Sequence, residues 1–264
     1  MAQCNPPKFF PINKYQVKDT AFLKITYKLD FVKDPKRIDD RCTDIQLLQI
    51  GKNSSKYFSL QAVEYNTEIQ ELIKKGTSGT IPFNTQNGTN GYEIFKNIQK
   101  NEIKVTDLGT CLSGNFLYSD NFPSFSWEIK PDTSTLLSYP CQKAITSFRG
   151  RTYEAWFTMA IPISNGPWKF GGLPGIILKI SDTNNEYLFE CIRIENTHEP
   201  IKFYDLEYKS TSRQDLNKLY KRYHDDPVIF RLNQGIITLK MSDTGESKEL
   251  KSSQKIPYNT IELE

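Results

Sequence analysis

The stretch CQKAITSFRGRTYEAWFT, Cys141 to Thr158, decides the fold, because it reads as two strands folded about Arg149-Gly150. With those residues at the turn, Ala144, Thr146 and Phe148 share a face with Tyr153, Ala155 and Phe157. Lys143, Ile145, Ser147, Thr152, Glu154 and Trp156 share the other. One apolar face opposite one mixed face is the pattern of an antiparallel sheet wetted on one side.

Immediately downstream, GPWKFGGLPGIILKI (Gly166–Ile180) raises a choice between a phosphate cradle and a turn. A phosphate-binding loop needs a Gly-Lys-Ser/Thr ending and a following helix whose amides face the anion. Here the glycines run into Ile176-Ile177-Leu178, a strand, and that ending is absent. Leu173-Pro174-Gly175-Ile176 suits a type II turn instead: proline presets φ, and Gly175 is expected to be left-handed at the third position. That turn would order the GPWKF loop beside the Arg149-Gly150 tip, and Gly171-Gly172 would let a ligand or partner approach the backbone.

Working outward, AFLKITYKLDFV (Ala21–Val32) alternates as a strand, and Asp44–Leu60 reads as a hairpin about Gly51–Ser55. In NTEIQELIKKG, Thr67 and Gln70 have capping-box spacing and Gly76 stands where a helix stops. GYEIFKNI is a further strand, and GIILKI with EYLFECIRIE forms a second hairpin across SDTNN. TSRQDLNKLYKRYHDDP is the clearest helix: Ser212 caps it, Leu216, Leu219, Tyr220 and Tyr223 form its buried stripe, and Pro227 ends it. GIITLKM adds a last strand. The expectation is an α+β fold, mainly antiparallel β, built as one strongly curved, half-barrel-like sheet with a few helices packed on one side. No linker or repeat divides residues 1–264, which read as one domain with a core at about 127–195 and a helix and tail over 196–264.

Aromatic residues make up 12% of the 264-residue chain, which suits a strand-rich folded protein. A net charge of +3, with lysines scattered among acids, is too small to argue for a nucleic-acid partner, so none is expected, and no apolar run spans a membrane. Five cysteines without a C-x-x-C exclude ordinary zinc ribbons and leave at least one thiol outside any disulfides. The start MAQCNPPKFFPI has no signal-peptide pattern, although Ala2-Gln3 resembles a chain trimmed after a small-residue cleavage site. The two histidines, His198 and His224, form no ligand pair, and His224 reads as a helix-end residue facing the dipole. No metal and no cofactor is expected, and with no catalytic constellation the reading leans toward a protein that is not an enzyme.

The block from Thr135 to Asp182, with FRGR, AWF, IPI, GPWKF and Gly172-Leu173-Pro174-Gly175-Ile176-Ile177, resembles the signature of the GLPGLI family, also called Porph_ging, known from Bacteroidetes. Weaker matches reach LQIGKNSSKYFS and the terminal YNTIELE. The resemblance implies an exported protein of the periplasm or outer membrane and assigns no chemistry. From the residues, Arg149, Arg151 and Lys169 are candidates to grip a carboxylate or phosphate. Trp156, Trp168, Phe170, Gly171 and Gly172 complete a candidate surface for a ligand or partner. The resulting expectation is a non-catalytic envelope protein that holds a peptidic or apolar ligand, or an outer-membrane partner protein, in its curved sheet. The alternatives are a hydrolase with dispersed catalytic residues and a structural accessory subunit of an outer-membrane complex.

Overall fold

The computed structural model of the chain describes residues 3–4, 13–75, 91–108, 112, 114–234, 237–238 and 255–263. Strands β1 (Gln3–Cys4), β2 (Tyr15–Val32), β3 (Arg41–Gly51) and β4 (Ser54–Ser59) lead into helix α1 (Leu60–Lys74). Six strands follow: β5 (Tyr92–Asn97), β6 (Glu102–Asp107), β7 (Asn115–Asn121), β8 (Glu128–Leu136), β9 (Tyr139–Phe148) and β10 (Arg151–Thr158). Then come β11 (Ile176–Asp182), β12 (Tyr187–Asn196), β13 (Pro200–Tyr204) and β14 (Tyr208–Ser210). Helices α2 (Arg213–Asp225) and α3 (Pro227–Asn233) and the short β15 (Ile237–Thr238), which pairs with β1, complete the elements.

The main sheet runs β14-β7-β6-β5-β4-β3-β2-β12-β11-β10-β9-β8, with β13 on the outer part of β2. It is not closed into a barrel, and every pairing is antiparallel except β14 with β7. The long strand β2 shows why the sheet forms. Leu23, Ile25, Tyr27, Leu29 and Phe31 are buried, whereas Lys24, Thr26, Lys28 and Asp30 between them stay half-exposed. Those apolar positions continue across neighbouring strands into one core with Leu48, Tyr57, Ile94, Val105, Tyr118, Ala155, Leu178 and Phe189. Leu216, Tyr220 and Tyr223 of α2 press onto the same core. A small second cluster, Ala21, Phe95 and Ile201, lies apart from it.

The central hairpin is built as its alternation requires. Ala144 opposes Ala155 and Thr146 opposes Tyr153, all buried. Arg149 and Gly150 have φ of +45° and +79°, the left-handed pair of a turn whose twist matches the strands. The hairpins β3–β4 and β11–β12, strand β5 and helix α2 also stand where the sequence puts them.

Three local expectations are corrected. Gly175 is not left-handed; the glycine with positive φ in this loop is Gly172, at +84°. Gly175 is needed for room instead, because a Cβ there would lie 2.0 Å from the Thr158 carbonyl oxygen. Helix α1 begins at Leu60, not at Thr67: the Ser59 hydroxyl accepts from the Ala62 amide, and Thr67 instead donates its hydroxyl back to the Val63 carbonyl. Gly76, its expected stop, and most of GIITLKM lie outside the described residues. In α2, Leu216, Tyr220 and Tyr223 are buried while Leu219 is only half-buried, so the stripe is narrower than its spacing suggests. Pro227 ends α2 but also opens α3, with Asp226 capping both helices. Cys141 and Cys191 are buried free thiols, and burial raises the Cys191 pKa to about 12.

Candidate functional site

The face of β10 that carries Tyr153, Ala155 and Phe157 also carries Arg151, whose side chain is 1% exposed. A guanidinium there needs acceptors around it, and both terminal nitrogens have them, although Nε has no partner among the described residues. Its Nη1 donates to Asp182 Oδ2 at 2.9 Å and Glu186 Oε2 at 2.7 Å. Its Nη2 donates to Asn259 Oδ1 at 2.7 Å and the Thr260 carbonyl at 2.8 Å. The last two belong to a strap, residues 255–263, which crosses the core face of the sheet. The hydroxyls of Tyr187 and Tyr153 donate to the carbonyls of Asn259 and Ile261, at 2.8 and 3.0 Å.

A further strap residue, Glu262, is buried with three cations around its carboxylate. Lys169 Nζ lies at 2.5 Å, Arg149 Nη1 at 2.6 Å and Arg213 Nη1 at 3.1 Å. Arg149 also reaches Asp120 at 2.8 Å, and Lys169 donates to the Tyr118 hydroxyl at 3.1 Å. Burial pushes the Lys169 pKa down while Glu262 opposes the shift. On the other side of this loop Lys96 Nζ donates to Asn165 Oδ1 and to the Phe170 carbonyl, both at 2.9 Å. Asn165 Nδ2 in turn donates to the Ser55 hydroxyl at 3.0 Å. With only neutral oxygens around it, burial lowers the Lys96 pKa to about 7.

Between sheet, α2 and strap lies a cavity of about 670 Å³. That size falls within the usual range of small-molecule sites. Leu29, Tyr57, Tyr92, Ile94, Val105, Tyr118 and Tyr187 line it from the sheet, and Leu216, Asn217, Tyr223 and His224 from α2. Trp168 comes from the GPWKF loop and residues 256–262 from the strap. Lys33, Arg37, Asp40 and Arg41 add a charged stretch, in which Arg37 pairs with Asp34 and Asp40 and Arg41 donates to the Asn185 and Asp30 carbonyls. His224 holds the strap: its Nδ1 lies 2.9 Å from the Pro257 carbonyl, and its ring packs 4.7 Å from that of Tyr258. Burial lowers its pKa, which favours the neutral imidazole and weakens its interaction with the helix dipole.

Of the eight residues singled out from sequence, Trp168 lines the cavity. Arg149, Arg151 and Lys169 face carboxylates of the protein itself, so their role as a free anion grip gives way to holding the strap. Phe170 is fully buried against Tyr153, Trp168 and Phe189. Trp156 sits at a position opposite Lys143 and Lys179, on the other face of β10. The Gly171 carbonyl accepts from Trp127 Nε1 at 2.8 Å, and Gly172 is exposed beside that ring. Sequence reasoning missed Tyr57, Tyr118 and the strap residues Tyr258, Asn259 and Glu262. Alternation in SSKYFS marks Tyr57 as one side of a strand, but nothing local announces that the terminal segment returns to the sheet.

Residues 85–222 match the family model described as the N-glycanase peptide, N-terminal domain. Two solved structures of PNGF-II, in space groups P21 and C2, are similar at 17% identity, with TM-scores of 0.49 and 0.47. In each the alignment covers 75% of this chain and 32% of the other, so the chain spans about a third of the length of those proteins. An uncharacterized conserved protein from Thermus thermophilus is similar at 10% identity and a TM-score of 0.37, over 72% of this chain and 90% of that one. No curated protein matches the chain. These findings correct the GLPGLI resemblance, since FRGR, GPWKF and Gly172–Ile177, which carried it, lie inside the segment that matches the N-glycanase domain. They also overturn the leaning toward a protein that is not an enzyme, because the matching family is named for one. Among the described residues no helix is long and apolar enough to cross a membrane.

Proposed function

The chain belongs to the family of the N-glycanase peptide N-terminal domain, and from that premise we propose that it serves in the enzymatic release of glycans from glycopeptides. In this reading the cavity receives a sugar-bearing part of the substrate, and residues 1–264 work as one unit framed by a concave, half-barrel-like sheet. The observation that carries the reading is the cavity's wall: Tyr92, Tyr118, Trp168, Tyr187 and Tyr223 all line one space of about 670 Å³. A sugar ring offers apolar C–H faces and a polar edge, and a wall of amphipathic rings matches both. The protein works outside the cytoplasm, in the periplasm or at the outer membrane, where glycosylated proteins and peptides are met.

The test compares an N-glycosylated peptide with the same peptide lacking its glycan, using the full chain and intrinsic tryptophan fluorescence or calorimetry. Saturable binding of the glycopeptide, at least about tenfold tighter than the bare peptide, is expected; about tenfold corresponds to 1.4 kcal/mol. Equal affinity for the two, or binding of neither, overturns the reading.

A further inference from the structure

The strap is held in the manner of a bound peptide. Three consecutive carbonyls accept from side chains of the sheet: Asn259 from Tyr187 at 2.8 Å, Thr260 from Arg151 at 2.8 Å and Ile261 from Tyr153 at 3.0 Å. The Ile256 amide donates to the His224 carbonyl at 2.8 Å, and the Leu263 amide to that of Arg149 at 3.1 Å. Side-chain reading is sparse. Asn259 sits between Arg151 and the Val32 carbonyl, and the buried Glu262 carboxylate lies among Lys169, Arg149 and Arg213. Residues 257–261 are half-buried, and Ile256 and Leu263 are 38% and 54% exposed. The receiving cations also have partners of their own. Arg149 reaches Asp120 at 2.8 Å, Arg151 reaches Asp182 and Glu186, and Lys169 lies 3.8 Å from Asp120. None of the three loses every counter-charge when the strap departs.

We propose that the strap is an internal ligand in a groove for acidic peptides, and that an extended, glutamate-bearing segment of another protein takes its place. Lys169, Arg149 and Arg213 select the carboxylate, because hydrogen bonds between charged partners are the strong ones. Arg151, Tyr153 and Tyr187 take the carbonyls of any backbone laid along them. A second copy of this chain would bring the same strap and the same contacts. Against a tethered segment at roughly millimolar effective concentration, such an exchange gains nothing. A foreign segment gains where the strap fits least, at the exposed positions of Ile256 and Leu263. Residues 256–262 also line the cavity, so whatever fills the groove shapes one side of that space.

The test uses the full chain and a labelled, end-blocked peptide with the sequence of residues 255–263, read by fluorescence anisotropy. Glu262→Ala in the chain weakens the tethered strap, so the peptide should bind this variant saturably and at least about tenfold tighter than it binds the wild-type chain. The same peptide carrying Glu262→Gln should bind about tenfold more weakly or worse. In the wild-type chain, hydrogen exchange at the Ile256 and Leu263 amides should be faster than in β2 and β12, reporting local release of the strap. No peptide binding to the Glu262→Ala chain, or equal affinity for the two peptides, overturns the groove. Strap amides that exchange no faster than those of β2 and β12 overturn it too, as does a Glu262→Ala chain that does not fold, because a segment the fold requires cannot yield its place. Wild-type dimers that the peptide dissociates would give the groove to a second copy and overturn the foreign partner. No saccharide enters these measurements, so the reading of the cavity stands or falls separately.

Discussion

Two lysines hold the GPWKF loop from opposite sides, and the protein solves their burial in different ways. Lys169 lies in a network of opposite charges, with Glu262 at 2.5 Å and Arg149 and Arg213 sharing the same carboxylate. Lys96 meets only the side-chain oxygen of Asn165 and the carbonyls of Phe170 and Gly166. Both keep their hydrogen bonds, but only the first keeps a counter-charge. The strap side of the loop is therefore held by ion pairing that fails when one partner is removed. The Lys96 side is held by neutral acceptors and is sensitive to proton concentration instead.

The largest way to break that contrast is Arg151→Ala. It leaves Asp182 at 1% exposure and frees the strap at Asn259 and Thr260, so a loss of about 3–5 kcal/mol is expected in denaturant unfolding. A loss under about 1 kcal/mol would mean that the network relaxes around the gap and that the charges are not structural.

Glu262→Gln keeps the shape but takes the counter-charge from Lys169, with an expected cost of about 2–4 kcal/mol. Lys169→Met on the same background should recover part of it, which a double-mutant cycle reads directly.

Gly175→Ala should cost about 1–3 kcal/mol through overlap with the Thr158 carbonyl, which lies 2.0 Å from the new Cβ. The effect is steric, so Gly175→Ser should be no milder; a neutral Gly175→Ala would show that β10 and β11 slide apart easily.

The last test separates the two lysines by pH. The folded-state pKa of Lys96 is lowered from 10.5 to about 7, so between those values the unfolded chain binds more protons than the folded one. Stability must then rise with pH across that window, by at most about 1.4 kcal/mol per pH unit for one proton. Lys96→Met should flatten the slope between pH 7 and 10 measured by chemical denaturation. An unchanged slope would mean that the ammonium stays charged in its cage of carbonyls.

Much of the frame was legible in advance, and the reason is local. The hairpin β9–β10, strand β2, the pair β11–β12 and helix α2 carry period-2 or period-3.6 patterns that need no knowledge of distant residues. Errors arose where two elements meet. Ser59, not Thr67, caps α1 because the helix grows directly out of β4, and Gly175 yields to the neighbouring strand rather than to its own turn chemistry. Arg151 was half legible. Its parity with Tyr153, Ala155 and Phe157 puts it on the buried face, which already argues for partners inside the protein.

Alternation and turn chemistry act over a few residues, so the amino-acid order was enough to specify β2, β5, the antiparallel hairpins β3–β4, β9–β10 and β11–β12 and the buried face of β9–β10, but not β6, β7, β8, β13 or β14. It also supplied the ring-bearing loop that brings Trp168 to the cavity. What the cations of that loop and hairpin do was decided in three dimensions, since Arg151 and Asn259 are 108 residues apart and Lys169 and Glu262 are 93 apart. A buried charge takes its meaning from the groups that surround it in space, and no pattern of neighbours along the chain specifies which segment will return to neutralise it.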